Sequence, residues 1–188
     1  MSKHDIEHKK DQILLRALED VPFDGWNKDL IEHAAKDIDL EAGLTRILFP
    51  SGVDDLLSHF SDWADRQMLE ALSGIDPEEL RVRDRIKTAV LKRLEILQPH
   101  QDAVRSSLSH WALPFRQLRA GKILWRSADR IWNWAGDIST DYNHYTKRTL
   151  LSGVMASTTM FWLQDNSGDG VATEKFLDRR IENVMQIG

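Results

Sequence analysis

Residues 26–60 read WNKDLIEHAAKDIDLEAGLTRILFPSGVDDLLSHF, and the spacing of their apolar positions decides the fold class. Leu30, Ile31, Ala34 and Ala35 share one face of a 3.6-residue helix, and Val53, Leu56, Leu57, Phe60 and then Ala64 repeat the pattern. Between them, Asp39 to Gly43 and Pro50-Ser51-Gly52 supply turn formers. The spacing predicts helices over 26–37, 42–48 and 52–73. No alternation of period two lasts more than a few residues, so no strand is expected.

Outward from this stretch the same pattern continues. Ile6, Ile13, Leu14, Ala17 and Leu18 predict a helix over 5–20, ending at Val21-Pro22-Phe23-Asp24-Gly25. Breaks at Ser73 to Pro77, Gln98-Pro99-His100, Pro114, Gly136 to Thr140 and Asp165 to Gly170 predict further helices over 77–97, 101–113, 115–135, 140–164 and 172–186. The expected fold is all-α, a bundle of about nine helices, three short ones followed by longer ones.

Composition narrows the function. The 188 residues fit one domain with a substantial core. The formal charge of −5 gives no global attraction to nucleic acid or anionic lipid, so either would need a local patch. Absence of cysteine removes disulfides and thiolate metal sites and fits a reducing compartment. The opening MSKHDIEHKKDQ has no apolar core of a secretory signal, and the least polar run, Leu150 to Leu163, falls short of the ~20 residues needed to span a bilayer. A cytoplasmic protein is expected, at most peripheral to the inner face of the membrane.

Three short helices ahead of a longer bundle, with Phe49-Pro50-Ser51 before the fourth helix, resemble a TetR-type layout with its N-terminal helix-turn-helix. The resemblance implies residues 1–60 as that region and 61–188 as a ligand-binding and dimerisation bundle, together one compact unit. The charges oppose DNA. From Trp26 to Phe60 the cations Lys28, Lys36 and Arg46 face Asp29, Glu32, Asp37, Asp39, Glu41, Asp54 and Asp55, whereas phosphate binding needs the reverse. Glu41 opens the third helix, and Leu44, Ile47 and Leu48 occupy positions that should reach bases. The helix-turn-helix therefore reads as degenerate, and nucleic acid is not an expected partner.

The segment Trp134 to Arg148, WAGDISTDYNHYTKR, ends one helix at Gly136 and opens another near Asp141. Gly136 suits a left-handed helix stop, and Ser139, Thr140 or Asp141 can cap the next helix. Its first turn mixes Asp141, Tyr142, Asn143, His144 and Tyr145, a composition closer to an interaction surface than to a plain solvated face. Together with Leu163-Gln164-Asp165-Asn166-Ser167, Phe176-Leu177-Asp178-Arg179-Arg180-Ile181, Gly25-Trp26 and the run Phe49 to Phe60, this segment closely resembles the Coq-nine family, in its bacterial branch. These are TetR-fold lipid-binding accessory proteins of ubiquinone biosynthesis. The resemblance implies a non-enzymatic protein that binds an isoprenoid quinone or other lipid and assists the di-iron demethoxyubiquinone hydroxylase, with Asp141, His144 and Tyr145 as its partner-binding surface. Some members carry Trp where this chain has His144, which weakens the apolar anchor. Mitochondrial members continue into an amphipathic membrane helix beyond the point where this chain ends, at Met185 to Gly188, so membrane contact by that route is not expected.

Other candidates follow from residue type and spacing. Leu108, Trp111, Leu124, Ile131, Val154, Met155, Thr158 and Trp162 form a candidate lipid lining, although helical spacing fits core packing equally. Arg119, Lys122, Trp125 and Arg126, with Arg116 and Arg130, put cations beside tryptophan, which suits a membrane interface or a solvated face over a core. Phe176, Leu177, Ile181 and Val184 offer a stripe for pairing two copies as a homodimer or for the chain's own core. Asp141-x-x-His144 reads as a proton relay or as capping. His4-x-x-x-His8 alone has metal-like spacing, and neither a pair of Glu-x-x-His motifs nor a nucleophile elbow is present, so no metal, cofactor or catalytic residue is expected. A ligand-responsive transcriptional regulator is the alternative use of the same layout.

Overall fold

The computed structural model of the chain describes residues 1–185, Ala42 by its backbone alone. Gln186, Ile187 and Gly188 lie outside the described residues, and with them the last position of the expected ninth helix. Among the described residues there are nine α-helices and no strand: α1 Lys3–Asp24, α2 Lys28–Asp37, α3 Ala42–Leu48, α4 Val53–Ala71, α5 Val82–Leu97, α6 Gln101–Trp111, α7 Gln117–Trp134, α8 Tyr142–Trp162 and α9 Val171–Met185. The all-α expectation holds, with two differences of extent. α1 runs through Pro22 to Asp24, because a proline in the last turn forfeits a single hydrogen bond, and the stop comes at Gly25, with φ +68 and its N–H on the Val21 carbonyl at 2.9 Å. α5 begins late, because Pro77–Glu79 closes as a 3-10 turn capped by Asp76 and the chain is extended at Leu80 before the helix starts.

The chain divides into two compact units, one of Met1–Trp63 with Pro99–Gln117, the other of Ala64–Gln98 with the chain from Leu118 onward. In the first unit α1 packs on α2 and α6, and α2 on α3. Ser2 and Asp5 form a capping box at α1, and the Asn27 side chain caps α2 at the Leu30 N–H. The core takes Ile13, Leu14 and Ala17 from α1, Leu30, Ile31 and Ala34 from α2, and Leu56, Leu57 and Phe60 from α4. Trp26 closes it, with its ring on Phe60 and its Nε1–H donating to the Ala103 carbonyl at 3.0 Å. On α3, Leu48 is buried and Ile47 points out, so the helix that would read bases in a repressor turns one of its three apolar residues inward.

The core of the second unit joins Met68 and Leu72 of α4, Ile86 and Val90 of α5, Ala128 and Ile131 of α7, Leu151, Val154 and Met155 of α8, and Leu177 and Ile181 of α9. Asp65 is wholly buried within it. Its carboxylate accepts from Arg93 Nε at 2.8 Å, Ser127 Oγ at 2.7 Å and Arg130 Nη1 at 3.3 Å, which meets the requirement that a buried charge be paired and hydrogen-bonded. Of the apolar stripe on α9, Leu177 and Ile181 are used in this core, and Phe176 stacks on Phe161 at 4.4 Å. No helix among the described residues is long and apolar enough to cross a membrane.

Candidate functional site

The junction of α7 and α8 is built from two caps and a buried ion network. At the end of α7 the Gly136 N–H donates to Asn133 O at 3.1 Å and the Asp137 N–H to Trp132 O at 3.0 Å, with Gly136 at φ +84, the bond pattern of a Schellman stop. Asp141 caps α8 through the Asn143 N–H at 3.0 Å. Between the caps, Asp137 accepts from Lys147 Nζ at 2.7 Å, Arg148 Nη1 at 2.9 Å and Ser139 Oγ at 2.7 Å. Arg148, 1% exposed, also donates to Asp129 and to the His144 carbonyl at 3.2 Å. Burial by itself pushes the Asp137 carboxyl up, but Lys147, Arg148 and Ser139 outweigh it and hold the group well below the usual carboxylate range.

This network sorts the mixed turn into an inner and an outer set. Asp137 and Arg148 are paired inside, and Ser139 and Lys147, both half-buried, close over Asp137 from the solvent side. His144 is half-buried, its Nδ1 donating to the Ser139 carbonyl at 2.9 Å, with its ring 5.9 Å from Trp125 and 5.2 Å from Tyr145. Facing outward are Asp141, Tyr145, Tyr142 and Ile138, the last 93% exposed. Asp141 and His144 each satisfy the backbone, as caps do. Sequence reasoning placed Tyr142 in the mixed turn without singling it out as a partner-binding residue, and assigned no role to Ile138 or Arg148. A signal for Arg148 existed, because it falls in phase with Leu151, Met155 and Trp162 on the buried stripe of α8.

A groove of about 450 Å³ opens beside this junction, within the second unit. Its apolar wall comes from Val82 and Ile86 of α5, Leu150, Leu151 and Val154 of α8, and Ile181 and Val184 of α9, and its polar rim from Arg83, Asn143, Thr146 and Lys147. A smaller recess of about 250 Å³ shares Leu150, Val154 and Val184 and adds Arg180 and Asn183. Trp132 lines the groove, with its Nε1–H on the Lys147 carbonyl at 3.1 Å and the Lys147 ammonium 5.4 Å from its ring centre.

Of the candidate lipid-lining residues, Val154 lines this groove. Ile131, Met155, Thr158 and Trp162 are buried in the second unit, and Trp162 donates to Gln98 Oε1 at 2.9 Å. Leu124 is half-buried against that core. Leu108, exposed, and Trp111, half-buried, belong to the first unit. Of the membrane-facing candidates, Lys122 is exposed while Arg119, Trp125 and Arg126 are half-buried. No group of three histidine or acidic side chains stands together as metal ligands among the described residues.

Residues 118–188 match the family model described as COQ9. The chain is 33% identical over 189 residues to ubiquinone biosynthesis protein COQ9-A, mitochondrial, of Xenopus laevis, an alignment covering 97% of this chain and 59% of that protein. It is 29% identical over 194 residues to ubiquinone biosynthesis protein COQ9, mitochondrial, of Homo sapiens, covering 100% of this chain and 60% of that protein. The chain thus spans about three fifths of the length of these relatives. In structure it is similar to a TetR transcriptional regulator from Nitrosomonas europaea ATCC 19718, with a TM-score of 0.74 and 20% identity over 94% of this chain and 98% of that one, a likeness of fold. The α7 to α9 region thus matches the COQ9 family model, and the whole length of the chain aligns with mitochondrial COQ9 proteins.

Proposed function

We propose that this protein serves ubiquinone biosynthesis as a non-enzymatic accessory protein that holds an isoprenoid quinone precursor in the groove of its second unit and presents it to a demethoxyubiquinone hydroxylase docked on the first turn of α8. The observation that carries the reading is the double use of that turn. Asn143, Thr146 and Lys147 line the groove, while Asp141, Tyr142 and Tyr145 on the same turn face outward. A head group at the Lys147 end would lie next to the docking surface, and an isoprenoid tail would run along Leu150, Val154 and Val184.

The groove suits such a ligand in size and chemistry. Its volume falls among those of small-molecule pockets, ~300–1,000 Å³. A polyisoprenoid leaves bilayer burial when it is extracted, so a carrier must return comparable apolar contact, at roughly 25 cal/mol per Å². The cations on the rim favour an oxygen-rich head over a second apolar end. Pairing of two copies through α8 and α9 belongs to the same reading, with contact at the membrane's inner face as the route by which lipid arrives.

Mass spectrometry of lipid extracted from the natively purified protein, paired with quinone profiling after deletion of its gene, tests the proposal. A bound isoprenoid quinone and an accumulated precursor are expected. Lipid-free protein with an unchanged quinone profile would refute it, and salt-dependent DNA binding by the purified protein would instead favour a regulator.

A further inference from the structure

Gly153 stands in the middle of α8, where glycine is the poorest helix former after proline. Its backbone does not call for it, since it lies outside the positive-φ region that glycine serves at Gly25 and Gly136. Packing does not call for it either, because a β-carbon at this position would meet nothing within 4 Å beyond its own turn of helix. The missing side chain leaves a hole in the seam between α8 and α9. That hole is the recess of about 250 Å³, bounded by Leu150, Gly153 and Val154 on one side and by Arg180 and Val184 on the other. The long side chain able to fall into it is held off. Arg180 Nε donates to Ser157 Oγ at 3.2 Å, and that hydroxyl donates to the Gly153 carbonyl at 2.9 Å, so the guanidinium is pinned one turn along α8.

The recess backs on to the larger groove, with Leu150, Val154 and Val184 common to both. Volume then decides what passes between them. At roughly 30 Å³ per heavy atom, a water molecule's share of the liquid, the groove of about 450 Å³ takes about fifteen heavy atoms. A benzoquinone ring with its methyl and methoxy groups nearly fills it, so an isoprenoid tail has to leave. The recess adds space for about eight heavy atoms more, one to two five-carbon units. It also lies in the right direction, since Gly153 follows Lys147 on the rim by about 9 Å along the axis of α8. A partner helix, about 10 Å across, would rest over a hole of this size without filling it. Resting on the reading of the groove as the quinone site, we infer that Gly153 is the window through which the tail leaves. The head group occupies the groove, the first units of the tail lie over Gly153, and the rest of the tail gains no further contact.

Titration of the full chain, stripped of lipid, with ubiquinone analogues of increasing tail length tests this, read by tryptophan quenching because Trp132 lines the groove. In the parent protein each isoprene unit should tighten binding roughly fivefold or more up to about the third, after which the affinity should level off. Gly153→Leu places a side chain in the window. It should hold the tail-less analogue within about twofold of the parent and weaken the analogue of three units roughly tenfold or more. Its unfolding midpoint should rise, because leucine is the better helix former. A protein that is more stable and has lost only the tail's contribution cannot be explained by misfolding. An undiminished tail contribution in Gly153→Leu, or an equal loss for the tail-less analogue, would overturn the window and leave the groove standing. A lower mass by light scattering than the parent's would overturn it in favour of a second copy packed on α8. Failure of the parent to bind any analogue would refute the groove itself, and the window with it.

Discussion

Arg148 Nη1 donates to Asp137 Oδ2 at 2.9 Å with both side chains almost wholly out of water, 1% and 5% exposed. The pair joins the stop of α7 to the second turn of α8, and Asp129 holds the other edge of the guanidinium. A buried pair of this kind is costly to break from one side, since the remaining charge stays desolvated. Arg148→Ala should therefore destabilise the protein by about 3–5 kcal/mol. Arg148→Lys should recover part of the loss, because one ammonium cannot bridge two carboxylates as a guanidinium fork does. Urea unfolding curves measure both, and a loss below ~1 kcal/mol for Arg148→Ala would mean that the network does not hold the junction.

Acid should act on the same region. Asp137 is held below its ordinary range despite burial, and Asp165 is lowered to about 2 by Ser167 and Thr173, which it joins across the start of α9. Each folded-state carboxyl titrates below its unfolded value of about 3.9. Its stabilising contribution is thus complete above about pH 4 and is lost as pH falls towards the folded value. Thermal unfolding measured from neutral pH downward should show the midpoint dropping below about pH 4, with a shallower drop in Asp165→Asn. An identical pH profile for that variant would show that the carboxyl is not linked to folding.

Leu150 lines both the larger groove and its recess and is half-buried, so it can be enlarged without disturbing the core. Leu150→Trp should lower affinity for an isoprenoid quinone by about tenfold, which corresponds to ~1.4 kcal/mol, and leave the unfolding midpoint nearly unchanged. Titration of lipid-stripped protein with a short-chain ubiquinone analogue is the measurement. Retained affinity would place the lipid elsewhere in the molecule.

Tyr145 is 62% exposed beside the His144 ring, so its removal should cost binding energy and little stability. Tyr145→Ala is expected to weaken hydroxylase binding roughly tenfold or more. His144→Trp gives up the bond to the Ser139 carbonyl and adds apolar area, and should tighten the same complex. Calorimetric titration with the hydroxylase decides the matter. If Tyr145→Ala binds as well as the parent, and His144→Trp no better, the docking surface is not on this turn.

The order of the helices was legible because each carries its own apolar stripe and its own stop, and Gly25, Gly136 and Pro77 mark ends by local backbone chemistry. The all-α class, the TetR-like layout and the family likeness were therefore legible in local sequence, with residues 26–60 and 134–148 the most informative stretches. Local pattern reports that Val154, Met155, Thr158 and Trp162 face inward, but not what they meet. Three of them are packed into solid core while Val154 looks into a groove, because whether neighbouring helices close on a position depends on their relative axes and side-chain volumes, which no single helix encodes. The Trp134 to Arg148 segment divides the same way. Its caps are read directly from Gly136 and Asp141, whereas the inward pair of Asp137 and Arg148 and the outward set of Ile138, Tyr142 and Tyr145 were decided by tertiary structure, since a buried charge is tolerable only where the packing of α7 against α8 brings its partners to it.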